Sequence, residues 1–239
     1  MKRLISESYL IDNMKYMAKF PDKFFELAVV DPPYGINYAK ISGEKSGTKF
    51  GKAKAAKSNF FIKDWDSAIE KPEYFTELFR VSKNQIIWGG NYMINNLIPT
   101  SCWLVWDKNN GSTNFSDCEL AWTSFNSPIR LFKYTWNGML QENMKHKENR
   151  IHPTQKPIAL YKWILKNYAK DGDKIIDTHS GSQSSRIAAY DLGFDFYSCD
   201  IDPDYFKDGN ERFEKHKKKF KGFFQETIVD NEIKLKPLF

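Results

Sequence analysis

The chain has 239 residues, 41% hydrophobic and 16% aromatic, with a formal net charge of +6. This length fits one domain with a sizeable core, and the composition excludes wholesale disorder. No apolar run reaches the roughly 18 residues a bilayer span needs, and the first residues lack a signal-peptide core, so a cytoplasmic protein without a membrane segment is expected.

Asp12 precedes the first helix. Leu27 to Val30 reads as a buried strand ending at Asp31. Between Lys40 and Lys63 seven lysines (40, 45, 49, 52, 54, 57, 63) stand against the single acid Glu44, among Gly43, Gly47 and Gly51. This reads as a mobile basic loop, and Lys40, Lys45, Lys49, Lys52, Lys54 and Lys57 would follow a phosphate backbone. A solvated surface loop would have the same composition. Tyr74 to Val81 looks helical, and strands are expected at Gln85–Trp88, Trp103–Trp106, Leu120–Trp122 and Ile129–Phe132. Residues 107–150 are less regular and read as an inserted recognition segment. Trp103, Trp106 and Trp122 lie on strand-like runs and are expected in the core, whereas Trp136 is open to either core or DNA. Ile158 to Tyr168 has helical spacing, Lys174–Ile176 is a strand ending at Asp177, and Ser184 to Leu192 is a helix that stops at Gly193. Phe194 to Cys199 is a strand ending at Asp200, and a last helix begins near Pro203. Strands alternating with helices predict an α/β fold with a mostly parallel sheet, whose ligands sit beyond the carboxyl ends of the strands. Asp31, Asp177 and Asp200 would stand there. The cysteines at 102, 118 and 199 are far apart without a CxxC pair. Neither a disulfide framework nor a metal site is expected.

Three segments carry chemistry. Asp31-Pro32-Pro33-Tyr34 follows the strand directly. Two prolines stiffen the turn and remove two N–H donors, leaving a carboxylate, free carbonyls and an aromatic ring. That set suits an exocyclic amine on a flat ring, although a proline-stiffened turn would carry the same letters. Asp177-Thr178-His179-Ser180-Gly181-Ser182 is a small-residue turn entering a helix, and Asp200 closes the next strand 23 residues later. A carboxylate there can accept both hydroxyls of a ribose, and the absence of GxGxxG and GxxxxGK[ST] disfavours a pyrophosphate ligand. In His152-Pro153-Thr154-Gln155-Lys156-Pro157, Thr154, Gln155 and Lys156 would together hold a carboxylate group, or would simply form a helix-entry loop.

These three motifs, in this order, resemble the S-adenosylmethionine-dependent DNA amino-methyltransferases. Placing the tetrapeptide first resembles their circularly permuted β group. Asp rather than Ser in the tetrapeptide resembles the adenine-N6 enzymes, and Ile86-Ile87-Trp88-Gly89-Gly90-Asn91-Tyr92 is similar to small phage or prophage members. The resemblance implies one Rossmann-like catalytic domain over 1–239 with helices on both sheet faces, a basic loop at 35–64 and a recognition segment at 107–150. It implies that Asp31 and Pro32 bind the target amine, that Pro33 shapes the turn, and that Tyr34 stacks on a flipped adenine. It places Asp177, Thr178, His179, Gly181 and Ser182 at the methionine end of the cofactor. Thr154, Gln155, Lys156 and Pro157 would hold its carboxylate, Asp200 and Ile201 its ribose and adenine, and Asp12 its adenine. Double-stranded DNA is the implied partner, a homodimer a family-level expectation, and methylation of cytosine N4, methylation of RNA adenine or an inactive relative the alternatives. The chain departs from the family pattern at Thr178, His179 and Gln183, and Gln183 is expected to crowd the methionine pocket.

Overall fold

A computed structural model describes residues 4–37, 49–50, 53–54, 66–111, 116–137 and 140–234, with backbone alone for 49–50, 53–54 and 220–234. Lys40, Lys45, Lys52 and Lys57 lie outside the described residues, while Lys49 and Lys54 fall in two paired strands, β3 (Lys49–Phe50) and β4 (Ala53–Lys54).

The main sheet is built from β1 (Ser6–Leu10), β2 (Phe25–Val30), β5 (Ser82–Trp88), β6 (Trp103–Asp107), β7 (Cys118–Thr123), β8 (Arg130–Lys133), β11 (Lys174–Asp177) and β12 (Asp195–Asp200). These eight strands lie in the order β1-β12-β11-β2-β5-β7-β6-β8. The five strands from β1 to β5 run parallel, β7 is antiparallel to both its neighbours, and β6 and β8 are parallel. The sheet is therefore mostly parallel, as alternating elements predict. A separate antiparallel pair joins β9 (Trp136–Asn137) to β10 (Leu140–Gln141).

Helices cover both faces. Leu27 and Val29 of β2 belong to one apolar cluster with Leu160, Ile164 and Ala188, whereas Ala28 and Val30 belong to another with Tyr16, Tyr74 and Leu78. Burial on both faces is why β2 reads as an unbroken apolar run rather than an alternating one. On one side lie α3 (Ile158–Tyr168) and α4 (Ser184–Leu192); on the other, α1 (Asn13–Met17) and α2 (Pro72–Val81). Proline occupies the first helical position of α2, where no N–H bond is lost, and Tyr74, Phe75, Leu78 and Val81 form its buried stripe. Helix α4 stops where Gly193 turns left-handed at φ 81°. The last helix, α5, runs over Pro203–Lys234.

Three features depart from the expectations. Strand β1 was not expected, because Ser6-Glu7-Ser8 carries no apolar run. Long-range polar bonds hold it at the sheet edge: Ile5 N–H donates to Asp195 Oδ1 at 2.9 Å, and Arg186 Nη2 to the Ser6 carbonyl at 2.6 Å. The span 107–150 is not one insertion, since β7 and β8 arise from it and join the main sheet. Trp106, Trp122 and Trp136 are buried, whereas Trp103 is only half-buried.

Candidate active site

Strands β12, β11 and β2 are neighbours in the parallel block, so Asp200, Asp177 and Asp31 come together at one sheet edge. The three carboxylates then do different things. Asp177 faces inward: Oδ1 accepts the His179 N–H at 3.0 Å and Oδ2 the Ser185 hydroxyl at 2.5 Å. Burial raises its pKa to about 6. Asp177 braces the turn and does not line the cavity beside it. Asp200 Oδ2 accepts the Gly181 N–H at 2.7 Å and Oδ1 the Asp202 N–H at 2.9 Å, which orients its carboxylate; burial raises its pKa as well.

A small cavity of about 70 Å³ lies among Asp31, Pro33, His152, Gly181, Ser182 and Asp200. Ile11 N–H donates to the Asp200 carbonyl at 3.0 Å, seating Asp12 beside the end of β12, where Asp12 caps α1 through Lys15 N–H at 3.0 Å. Ile201 is exposed next to it. A strand-end carboxylate, serine hydroxyls and a turn without side-chain bulk at Gly181 suit a nucleoside bearing an amino-acid tail. Thr178 bonds Tyr74 Oη at 2.7 Å and His179 Nδ1 at 3.0 Å; His179 Nε2 meets Glu70 Oε1 at 2.9 Å. Burial pushes the His179 pKa down, but Glu70 outweighs it and the net direction is up.

Gln183 does not crowd this cavity. It sits at φ 59°, fully buried, with its amide directed to the Ser8 hydroxyl at 3.0 Å and Arg186 at 2.9 Å. A methyl group at Gly209 would come within 2.7 Å of its side chain, so α5 closes over it from behind. The left-handed backbone turns the side chain away from the ligand side.

The segment 154–157 lies beside the small cavity, which Thr154, Gln155 and Lys156 all line. Gln155 brackets its own loop, accepting the Ile151 N–H at 2.9 Å and donating to the Asn149 carbonyl at 3.2 Å, and Thr154 bonds His152 at 3.0 Å. Pro157 caps α3. The Lys156 ammonium lies 2.5 Å from Asp31 Oδ2, 3.0 Å from Tyr34 Oη and 3.1 Å from Glu119 Oε2. Each of the three side chains thus bonds to the protein itself while bordering the small cavity. Burial lowers the Lys156 pKa, but Asp31 and Glu119 outweigh it, so the ammonium is held charged. Burial raises the Glu119 carboxyl, yet Lys156 and Lys108 bring it down to about 2.

Beyond Asp31 opens a larger cavity of about 450 Å³, walled by Asp31, Pro32, Tyr34, Tyr92, Glu119 and Asn137. The proline turn is fixed by Asp66, whose Oδ1 accepts the N–H groups of Tyr34 at 2.7 Å and Gly35 at 2.9 Å. Tyr34 donates its hydroxyl to Asp31 Oδ1 at 2.8 Å, and its ring stacks on Tyr92 at 5.2 Å and 17°. Gly89, at φ 68°, lets β5 end against that ring: a methyl there would lie 2.1 Å from Tyr34 Cε1. Sequence reasoning missed Asp66, Lys108 and Glu119. Only Glu119 left a signal, as a charge inside the apolar run 118–123; Tyr92 was quoted within its motif but given no role.

Residues 100–211 match the N6/N4 DNA methylase family. The chain is 25% identical to the Type II methyltransferase M2.DpnII of Streptococcus pneumoniae, over 85% of this chain and 87% of that one. It is 23% identical to M2.MboI of Moraxella bovis, over 89% of each. Among solved structures it resembles the M1.HpyAVI–SAM complex (TM-score 0.52, 17% identity, 86% of this chain and 98% of that one). It also resembles the cytosine-N4-specific PvuII DNA methyltransferase (TM-score 0.56, 13% identity, 90% and 92%). The fold is the Rossmann-like one of these methyltransferase structures, and the stretch that matches the N6/N4 DNA methylase family spans a little under half of the chain.

Proposed function

We propose that the chain is a site-specific DNA methyltransferase acting on the N6 amine of an adenine flipped out of double-stranded DNA. The observation that carries this reading is the position of Asp31 on the wall shared by two cavities, a small one beside the 180–182 turn, where the donor's methyl end would reach, and one roomy enough for a base. The Asp in the tetrapeptide, rather than Ser, favours adenine N6 over cytosine N4. The displaced position of Gln183 removes the objection to cofactor binding and weighs against an inactive relative. Asp200, Ser182, Gly181 and His179 would hold the nucleoside and tail of the donor, with Asp12 and Ile201 near its adenine.

When bound, S-adenosylmethionine supplies an electrophilic methyl carbon on a sulfonium. The residues around it prepare the amine, a poor nucleophile because its lone pair is delocalised into the ring. Asp31 and the Pro32 carbonyl each accept one amine N–H, which favours a pyramidal nitrogen with its lone pair aimed at the small cavity. Pro33 holds that turn rigid, and alignment of the two reactants provides much of the rate. Flipping the base costs a few kcal/mol, and stacking on the Tyr34–Tyr92 pair offsets about 1–3 kcal/mol of it. The basic loop at 35–64, including Lys40, Lys45, Lys49, Lys52, Lys54 and Lys57, would close over the phosphate backbone. The parts of 107–150 outside the main sheet would read sequence from the rim of the larger cavity. We further propose a permuted, prophage-type enzyme acting in the cytoplasm, with a homodimer as its assembly.

The test is transfer of a labelled methyl group from S-adenosylmethionine to unmethylated genomic DNA, with the product digested to nucleosides. N6-methyladenine from the wild type, and at least about 10³-fold less from Asp31→Ala with cofactor binding retained, is the expected result. N4-methylcytosine would reassign the base. Cofactor binding without transfer to DNA would point to RNA, and loss of both activities to an inactive relative.

A further inference from the structure

We propose that Lys156 is a positioning residue that couples the two cavities: the carboxylate of the methyl donor draws its ammonium off Asp31, and this opens Asp31 to the amine of the target base. The proposal rests on the methyltransferase reading above. As the structure stands, both Asp31 oxygens accept from the chain itself, Oδ1 from Tyr34 at 2.8 Å and Oδ2 from Lys156 at 2.5 Å. An ammonium in that place competes with the amine for the carboxylate and opposes the positive charge that builds on the attacking nitrogen.

Lys156 borders both cavities, and its side chain is only 2% exposed. On the donor side the protein's own carboxylates are already engaged, Asp200 by Gly181 and Asp202, and Asp177 by Ser185 and His179. The anion that a methionine tail brings is therefore the new partner there. Glu119, 3.1 Å away and itself braced by Lys108 at 2.6 Å, stays beside Lys156, so leaving Asp31 does not strand a buried charge. The geometry makes donor binding the condition for base capture, which protects against a flipped base held without a methyl group to receive.

The test compares two ligands on the full chain: S-adenosylhomocysteine, which carries the amino-acid carboxylate, and 5′-methylthioadenosine, which lacks it. Calorimetry reads the affinity for 2′-deoxyadenosine monophosphate, with 2′-deoxycytidine monophosphate in parallel. S-adenosylhomocysteine is expected to tighten nucleotide binding at least about tenfold, and methylthioadenosine less than about twofold. Crystal structures of the two complexes should show Lys156 Nζ out of hydrogen-bond reach of Asp31 in the first and still bonded in the second. The doubly neutralised variant Lys156→Gln with Glu119→Gln, which leaves Asp31 and Lys108 as a balanced pair, should bind the nucleotide equally with and without S-adenosylhomocysteine. Equal tightening by both ligands, wild-type coupling in that variant, or Lys156 still on Asp31 in the homocysteine complex would each overturn the proposal. The wild-type comparison stands even where the variant fails to fold. Failure of the wild type to bind S-adenosylhomocysteine is a different outcome: it removes the methyltransferase reading, and the coupling with it.

Discussion

Asp177 and Glu119 are both buried carboxylates, and their surroundings send them in opposite directions. Glu119 lies between two ammonium groups and is held ionised, its pKa brought down to about 2. Asp177 has a hydroxyl and an N–H for partners, and burial raises its pKa to about 6. A carboxyl raised on folding favours the folded state at low pH, and that contribution is lost as pH rises through the folded value. Asp177 should therefore contribute a loss of about 2–3 kcal/mol between roughly pH 4 and pH 6, on top of what the other carboxyls contribute. Urea denaturation across that range should show the wild type losing about 2–3 kcal/mol more than Asp177→Asn does. Gly89 sets a steric condition at the same scale. Gly89→Ala puts a methyl 2.1 Å from the Tyr34 ring on a left-handed backbone. A cost of about 2–4 kcal/mol is expected, visible as a lower melting temperature, with methyl transfer reduced because Tyr34 must move.

At the scale of elements, the proline turn was legible because Asp31-Pro32-Pro33-Tyr34 is a local message: each proline limits its own backbone and its neighbour's. Helices α3 and α4 matched their expected bounds for the same reason, since Pro157 and Gly193 punctuate them locally. Strand β1 was not legible, because side chains on β12 and α4 hold it. The packing of α5 is similarly non-local. Arg212 donates to the Ser182 carbonyl at 2.6 Å and to Glu148 at 2.7 Å, clamping the turn before α4 to the loop before α3. Burial alone pushes the Glu148 pKa up, and Arg212 opposes this. Arg212→Met leaves Glu148 buried without its cation. A loss of about 3 kcal/mol by urea denaturation is expected, together with weaker S-adenosylhomocysteine binding by calorimetry.

For the whole molecule, three strand ends converge on one edge of the sheet, and the basic run follows the Asp31–Tyr34 turn in the chain. If that run tracks DNA, affinity for a duplex of random sequence should fall steeply with salt. Replacing Lys40, Lys45, Lys52 and Lys57 by alanine should flatten the slope of log K against log salt by up to about 0.9 for each phosphate that is no longer neutralised. Methyl transfer to a short oligonucleotide at low salt should survive that change, because none of the four is placed in the catalytic machinery.

The sequence by itself determined the fold class, the run of most strands and helices, and the class of chemistry. Those properties are written in local patterns: apolar runs, prolines, glycines and three short motifs in a set order. Only the tertiary structure decided which partners the functional side chains meet. Lys156 lies 125 residues from Asp31 along the chain, and Asp66 lies 32 residues from Tyr34, so no local pattern pairs them. The direction of Gln183 depended on a left-handed backbone at its own position and on β1 and α5 packed behind it. A motif specifies which groups are available, whereas burial and long-range packing specify what each group faces and therefore which charge and which bond it carries.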